Sequence, residues 1–432
     1  VLQVTSTDQR NPGNSDANGT IGVVNAPYYN GITYSSTIKT LNIKGTLSGV
    51  IEAKANANER SGKAYGLFVS LGKIITEDIG SLTVSAQNDA YGLNSILGGS
   101  LTTGKIASLD VQAVGKNLTR ETVTGDSAYT VIDGNLQGWG LYNDKGSMQT
   151  GDIGTLTVTV QTGAVTTGNA TATKYGANAS AISGVSAAAG IQNINLGKTS
   201  IGNIGSLTVT GVAGKATAGN ASGDGNYQPG AFATASSIVS GVFNYGVNDN
   251  GQTILNVGNI GSLTASAVGG DAVAGTVTYT ANAGATEQDS ADSSAATYGF
   301  YNRTGTLTVG DAQGLKISAV AGNATIKEAR AGLDASASAY GIYASTGGTT
   351  NITGNLEITD INAKAGTRTD ENNVTATDRA RAFSLYATGT GSVINVGVNT
   401  EAGYPTGNGK TVKLLRDVGA YENGTNNLIL YG

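Results

Sequence analysis

The side chains that carry most nucleophilic and transition-metal chemistry are missing, because the 432-residue sequence contains no His and no Cys. Ser-His-Asp and Cys-His catalysis, imidazole and thiolate metal sites, and disulfides are therefore all excluded. Carboxylate chemistry remains. Two carboxyl groups flanking a bond can act as acid and base, or as acid and nucleophile, in glycoside cleavage. Three close pairs qualify by spacing: Glu77/Asp78, Asp289/Asp292 and Asp370/Glu371. All lie in polar, loop-like stretches where solvated charge is the expected state, so no catalytic residue is assigned. Asp370-Glu371-Asn372-Asn373 offers oxygen donors to a hard cation. Neither EF-hand spacing nor the glycine-rich nonapeptide of calcium β-rolls accompanies it, so a polar turn is expected, with no metal and no cofactor.

The second chemically capable set is aromatic. Tyr65, Tyr91, Trp139, Tyr298, Tyr340 and Phe383 occupy the first place of a recurring phrase such as AYGLFV or AYGIYA. Phe68, Tyr142, Phe243, Tyr301, Tyr343 and Tyr386 occupy its fourth place, and Phe300 one third place. By strand alternation, first and fourth places are expected on opposite faces. Such a sheet is either covered on both sides or presents its rings to a partner, since contiguous exposed apolar patches mark interaction sites. The Gly at the second place (Gly66, Gly92, Gly140, Gly299, Gly341) leaves room for close approach.

These phrases are positioned by a second one: IGSLTV from Ile79, IASLDV from Ile106, IGTLTV from Ile153, IGSLTV from Ile204, IGSLTA from Ile260 and a weaker AQGLKI from Ala312. Self-similarity of this kind signals a repeat architecture. Within each copy the apolar residues alternate, as in Leu82/Val84/Ala86 and Leu207/Val209, which is the mark of a strand with one buried face. The preceding glycines (Gly80, Gly154, Gly205, Gly261) are expected to turn corners with positive φ. Asp360 interrupts the last copy, Leu356/Ile358.

Successive copies are 27, 47, 51, 56 and 52 residues apart, counted from Ile79 to Ala312. The shortest step suits three strands and three corners, one turn of a parallel β-helix. Longer steps add Ala/Gly/Thr-rich excursions at 163–188, 214–236 and 269–296, which widen the coil or fold over it as a lid. The fold expected is all-β, a parallel β-helix of about nine coils over residues 37–398. At ~4.8 Å per coil its length is on the order of 40–45 Å. Residues 1–36 and 399–432 depart from the repeat and are assigned as terminal caps or assembly elements. The segment Leu428-Ile429-Leu430-Tyr431 carries no charge and no Pro, which suits a strand added to another edge.

Charged residues make up only 13% of the chain and the net charge is −5. With no Lys/Arg cluster, nucleic acid is not an expected partner. No run reaches the ~18 apolar residues of a membrane helix, so no membrane insertion is expected. Val1 opens directly into polar sequence, as in a mature, processed chain.

The alternation of AYGIYA-type phrases with GxIGxLTV, over roughly 37–398, resembles the passenger regions of bacterial autotransporters and related secreted surface proteins. The resemblance implies a right-handed parallel β-helix at the bacterial cell surface, used in adhesion, aggregation or display. No translocator barrel follows, so a cleaved passenger or a free-standing secreted subunit is implied, and no catalytic residue carries over. The expected function is structural and non-enzymatic: a subunit of an extracellular filament or surface layer whose partner is itself. Leu428, Ile429, Leu430, Tyr431, Tyr65, Trp139, Tyr298, Tyr340 and Phe383 are the candidate contacts. The alternatives are a monomeric adhesin, with a surface glycan of unknown kind as partner, and a carbohydrate-active β-helix enzyme.

Overall fold

Each repeat lays its strands on the equivalent strands of the one before, parallel and in register. Leu82 pairs with Leu109, Leu109 with Leu156, Leu156 with Leu207, Leu207 with Leu263 and Leu263 with Leu315. The computed structural model describes residues 40–54, 63–223, 229–247, 253–279, 288–327 and 332–399. It also describes the terminal strands Leu2–Thr7, Thr20–Asn25, Tyr28–Tyr29, Ile32–Thr33, Thr406–Gly407, Val412–Lys413, Ala420–Glu422 and Asn427–Leu430. Among these residues the chain is all-β, without helix, and its sheets are predominantly parallel.

The IGSLTV strands and the short strands before them form one 18-stranded network, and the aromatic phrases form a 10-stranded sheet facing it. Between them lies the main core. Leu82, Leu109, Leu156, Leu207, Leu263 and Leu315 make one column, and Val84, Val111, Val158, Val209, Ala265 and Ile317 the next, all buried. The excursions widen the coil. Val165–Thr167, Ala170–Ala172 and Ala177–Ile182, with their counterparts in neighbouring repeats, build seven-, four- and five-stranded sheets. These enclose a second core made almost wholly of alanine, including Ala170, Ala179, Ala221, Ala231, Ala272 and Ala291. Methyl groups fill most of it, with Val165, Val277 and Ile326 the larger members.

Three expectations change. Gly80, Gly154, Gly205 and Gly261 do not have positive φ; that conformation falls instead at the corner after the aromatic strand, on Leu71 (56°), Leu97 (52°), Lys145 (58°), Thr304 (59°) and Thr346 (50°). The corner glycines serve close approach. A Cβ on Gly154, Gly205 or Gly261 would sit 2.5, 2.6 or 2.7 Å from the carbonyl oxygen of the equivalent residue one level away. Asp360 does not break its column, because a register irregularity lets Ile361 pair with Ile317 and turns Asp360 out beside Lys316. Phe300 points inward, fully buried in the main core, and does not belong to the outer aromatic set.

Corners are pinned by asparagine and aspartate. Oδ1 of Asp152, Asn203, Asn259 and Asp311 accepts the backbone N–H of Asn203, Asn259, Asp311 and Asn355 at 2.9, 2.9, 2.8 and 2.6 Å. A second ladder runs inside, where the Nδ2 groups of Asn143, Asn193 and Asn244 donate to Oδ1 of Asn193, Asn244 and Asn302 at 2.9 Å each. These amides are buried, and each Nδ2 group serves the oxygen of the next, which leaves Oδ1 of Asn143, at the start of the ladder, without a partner among the described residues.

Leu207→Asp places an unpaired charge in the leucine column and should cost several kcal/mol, about 2–7 on the scale for unsatisfied polar burial. Thr208→Asp, one residue on and facing out, should melt within a few degrees of the parent. Equal melts by circular dichroism would refute the strand register.

Candidate functional site

Rings in the first and fourth places lie on the same outer face, contrary to simple alternation. Tyr65 meets Phe68 edge to face at 5.3 Å, Trp139 meets Tyr142 at 5.2 Å, and Tyr298 meets Tyr301 at 5.0 Å. The intervening glycine causes this. Gly66 and Leu67 both turn inward, so the alternation slips by one and the fourth residue faces out again. A Cβ on Gly92, Gly140 or Gly241 would lie 2.5, 2.6 or 2.7 Å from the carbonyl oxygen of Gly140, Gly190 or Gly299, and against core leucines. No side chain fits there. The sequence phrase is thus a bulge that aims its first and fourth residues at one surface, both of them aromatic in five of the repeats described.

Stacking between levels then builds two runs. Tyr65 stacks on Tyr91 at 4.6 Å, and Trp139 lies tilted over Tyr91 at 4.5 Å. The first-place run stops at Ala189 and Ser240, which take the same register position. It resumes with Tyr298 on Tyr340 at 5.3 Å and Tyr340 on Phe383 at 6.1 Å. In the fourth place Phe243, Tyr301, Tyr343 and Tyr386 form an unbroken stack at 4.8, 5.2 and 5.3 Å, with ring planes within about 11° of parallel. Offset stacks of this geometry contribute ~0.5–1.5 kcal/mol per pair beyond area burial. Trp139 also donates its Nε1–H to Oε1 of Gln192. Tyr65, Phe68, Tyr91 and Trp139 are buried, whereas Tyr298, Tyr301, Tyr343, Phe383 and Tyr386 keep part of their surface in solvent. The structure thus brings Tyr65 and Trp139 into one cluster and Tyr298, Tyr340 and Phe383 into another.

The carboxylate pairs act on the backbone. Oε2 of Glu77 accepts the Gly45 N–H at 2.6 Å, and Oδ1 of Asp78 accepts the Lys105 N–H at 2.8 Å. Asp292 accepts from Ser294, and Asp289 is buried. Asp370 accepts the N–H of Asn372 and Val374 in the turn joining Thr367–Thr369 to the antiparallel strand Thr375–Thr377. Among the described residues, no group of three carboxylates is arranged to hold a metal ion.

The C-terminal run is a strand over Asn427–Leu430, paired parallel with Val393–Val396. Tyr431 lies outside the described residues.

Sequence reasoning passed over Asp378-Arg379-Ala380-Arg381. Burial works to raise the Asp378 carboxyl. Hydrogen bonds from the backbone N–H of Ala335 and Arg379, with the charges of Arg368 and Arg379, outweigh it and hold the group below its ordinary range. The signal was present in the spacing, because Arg379 and Arg381 fall two apart at the start of a strand, and both line one cleft.

No protein-family model matches the chain, and no curated protein or solved structure matches it.

Burial, with Asp144 beside it, pushes the Tyr142 phenol up to about 12. Burial first, then the neighbouring phenols of Tyr301, Tyr340 and Tyr386, pushes Tyr343 up to about 12, and Tyr298 is raised further by burial and the same kind of neighbours. In the unfolded chain these groups ionise near pH ~10. Their contribution to stability is complete below that pH and is lost as pH rises from about 10 through 12, because only the unfolded chain releases the protons. The melting temperature should fall across that window, with a late, buried fraction in the tyrosinate absorbance. A single titration near pH ~10 with an unchanged melt is the contrary result.

Proposed function

We propose that the chain is a right-handed parallel β-helix of about nine coils, serving as a non-enzymatic structural subunit of a bacterial extracellular filament or surface layer. Copies join end to end. The observation that carries this reading is the pairing of the terminal strands. Thr40–Ile43 pairs with Lys73–Thr76, and no other described strand lies on its far side. Asn427–Leu430, at the opposite end of the same strip, pairs with Val393–Val396 and again has no described strand beyond it. Strand edges template further strands. Here the two edges match in direction, and Leu41/Ile43 match Leu428/Leu430 in apolar spacing. A contact between two different surfaces of one subunit propagates as an open polymer.

A second reading, a monomeric surface adhesin, is favoured by the half-exposed aromatic face between Tyr298 and Tyr386. Carbohydrate cleavage draws no support from the carboxylates at Glu77, Asp78, Asp292 and Asp370, whose oxygens are engaged with backbone N–H groups.

Deleting 427–432 tests the joining edge. The truncated chain should stay folded by circular dichroism and form no filaments in negative-stain images. It keeps the Thr40 edge, so a small fraction mixed with full-length protein should cap and shorten filaments. Filaments of unchanged length place the contact elsewhere. Unfolding on truncation makes the segment an internal closure and ends this reading of it.

A further inference from the structure

We propose that the outer face at Arg379 and Arg381 binds an acidic saccharide, with a uronate carboxylate held by the two guanidinium groups and the sugar rings lying along the adjoining aromatic ladder. The site stands apart from end-to-end assembly and does not depend on it.

Ser336, Ser338, Arg379 and Arg381 line a cleft of about 110 Å³. Ser338 and Arg381 are register partners on adjacent levels, so hydroxyls from one repeat face guanidinium groups from the next. The cleft is well below the ~300–1,000 Å³ of pockets that enclose a whole small ligand. It suits one functional group of a larger molecule. That group is an anion. Asp378 is occupied by the N–H of Ala335 at 2.8 Å, the N–H of Arg379 at 2.8 Å and Nε of Arg368 at 3.4 Å. Its approach to the Arg379 Nε is only 4.0 Å. Arg381 has no ion pair among the described residues. Two exposed guanidinium groups thus face a polar cleft whose neighbouring carboxylates, Asp378 and Asp334, are already engaged with backbone N–H groups. The guanidinium fork matches a carboxylate in two parallel hydrogen bonds.

The neighbouring residues select the rest of the ligand. Alternation along the strand Ala380–Thr388 puts Arg381 and Phe383 on one face, Arg379 reaches the same cleft from just before the strand, and Ser384, in the bulge position, returns Tyr386 to that face. Phe383 lies against Tyr386 at 5.2 Å, and both join the stacks of Tyr340 and Tyr343. A cationic cleft beside a row of ring edges fits a molecule with acid groups on a chain of rings whose C–H faces are apolar. A polyuronate has both properties. Inorganic sulfate has only the first.

Calorimetric titration of the full chain with tetragalacturonate, its neutral methyl ester and sodium sulfate tests the assignment. The acid oligomer should bind. Arg381→Gln should weaken it by roughly tenfold, the value of a charge-assisted bidentate contact, and the ester should lose as much against the parent protein. Phe383→Ala should weaken the oligomer while leaving sulfate unaffected. Arg381 is exposed, so its variant should melt as the parent does, which separates lost binding from lost folding. Absence of binding, or oligomer binding indifferent to Arg381→Gln, overturns the site. Sulfate bound as tightly as the oligomer, with no effect of Phe383→Ala, overturns the saccharide and leaves an anion cleft.

Discussion

Along the parallel ladders a strand residue has its counterpart from the next repeat about 4.8 Å away, because the strands are stacked largely in register. That spacing decides which residues the sequence can use. Two like charges at ~4 Å repel by about 1 kcal/mol in bulk water and by about 4 kcal/mol at an effective dielectric of ~20. Most outward positions are therefore uncharged or pair opposite signs, as in the register series Asp110, Thr157, Thr208, Thr264, Lys316, Asp360. Asp292 beside Asp334 is a like-charge exception in which each carboxylate caps a backbone N–H. The corner series Asp152, Asn203, Asn259, Asp311, Asn355 never sets one aspartate directly on another. A charged share of only 13% follows from the same rule. Amides, hydroxyls, methyls and rings are the groups that stack on themselves without penalty.

Legibility in the sequence followed the same division. The leucine and valine columns could be read from alternation, because burial on one face leaves a period of two. The bulge could not. Gly66 and its equivalents look like turn residues, but what excludes a side chain is the carbonyl of the next repeat, a contact between positions 26 or more residues apart. Misreading it put Tyr65 and Phe68 on opposite faces. The alanine core was invisible for a related reason, since alanine carries little apolar signal on its own and only the third dimension assembles Ala170, Ala221 and Ala231. The Asn-Ala-Thr and Asn-Ala-Ser runs at Asn169, Asn220 and Asn323 resemble glycosylation signals in the sequence. In the fold Asn169, Asn220 and Asn323 bond to the next level and their alanines fill the second core.

The carboxylates illustrate how context reassigns chemistry. Glu77, Asp78 and Asp370 have the spacing of catalytic pairs, yet each accepts backbone N–H groups that a bend would otherwise leave without partners. Asp378 does the same for Ala335, and in doing so leaves Arg381 to the solvent face. There the outer surface sets two guanidinium groups beside the aromatic ladder.

The alanine core does not run the full length of the stack. It begins with Leu118 and Ala128, after a first section in which the coil from Ile79 to Ile106 has no excursion, and it ends near Ala335. A tensile load along the stacking direction is shared among the strand ladders crossing each level, which act as springs in parallel. The middle levels have three additional ladders to share it. Under force the molecule is therefore a graded material, compliant in the narrow section between Thr40 and Val114 and stiff through the alanine-filled centre, so extension concentrates where the cross-section is smallest.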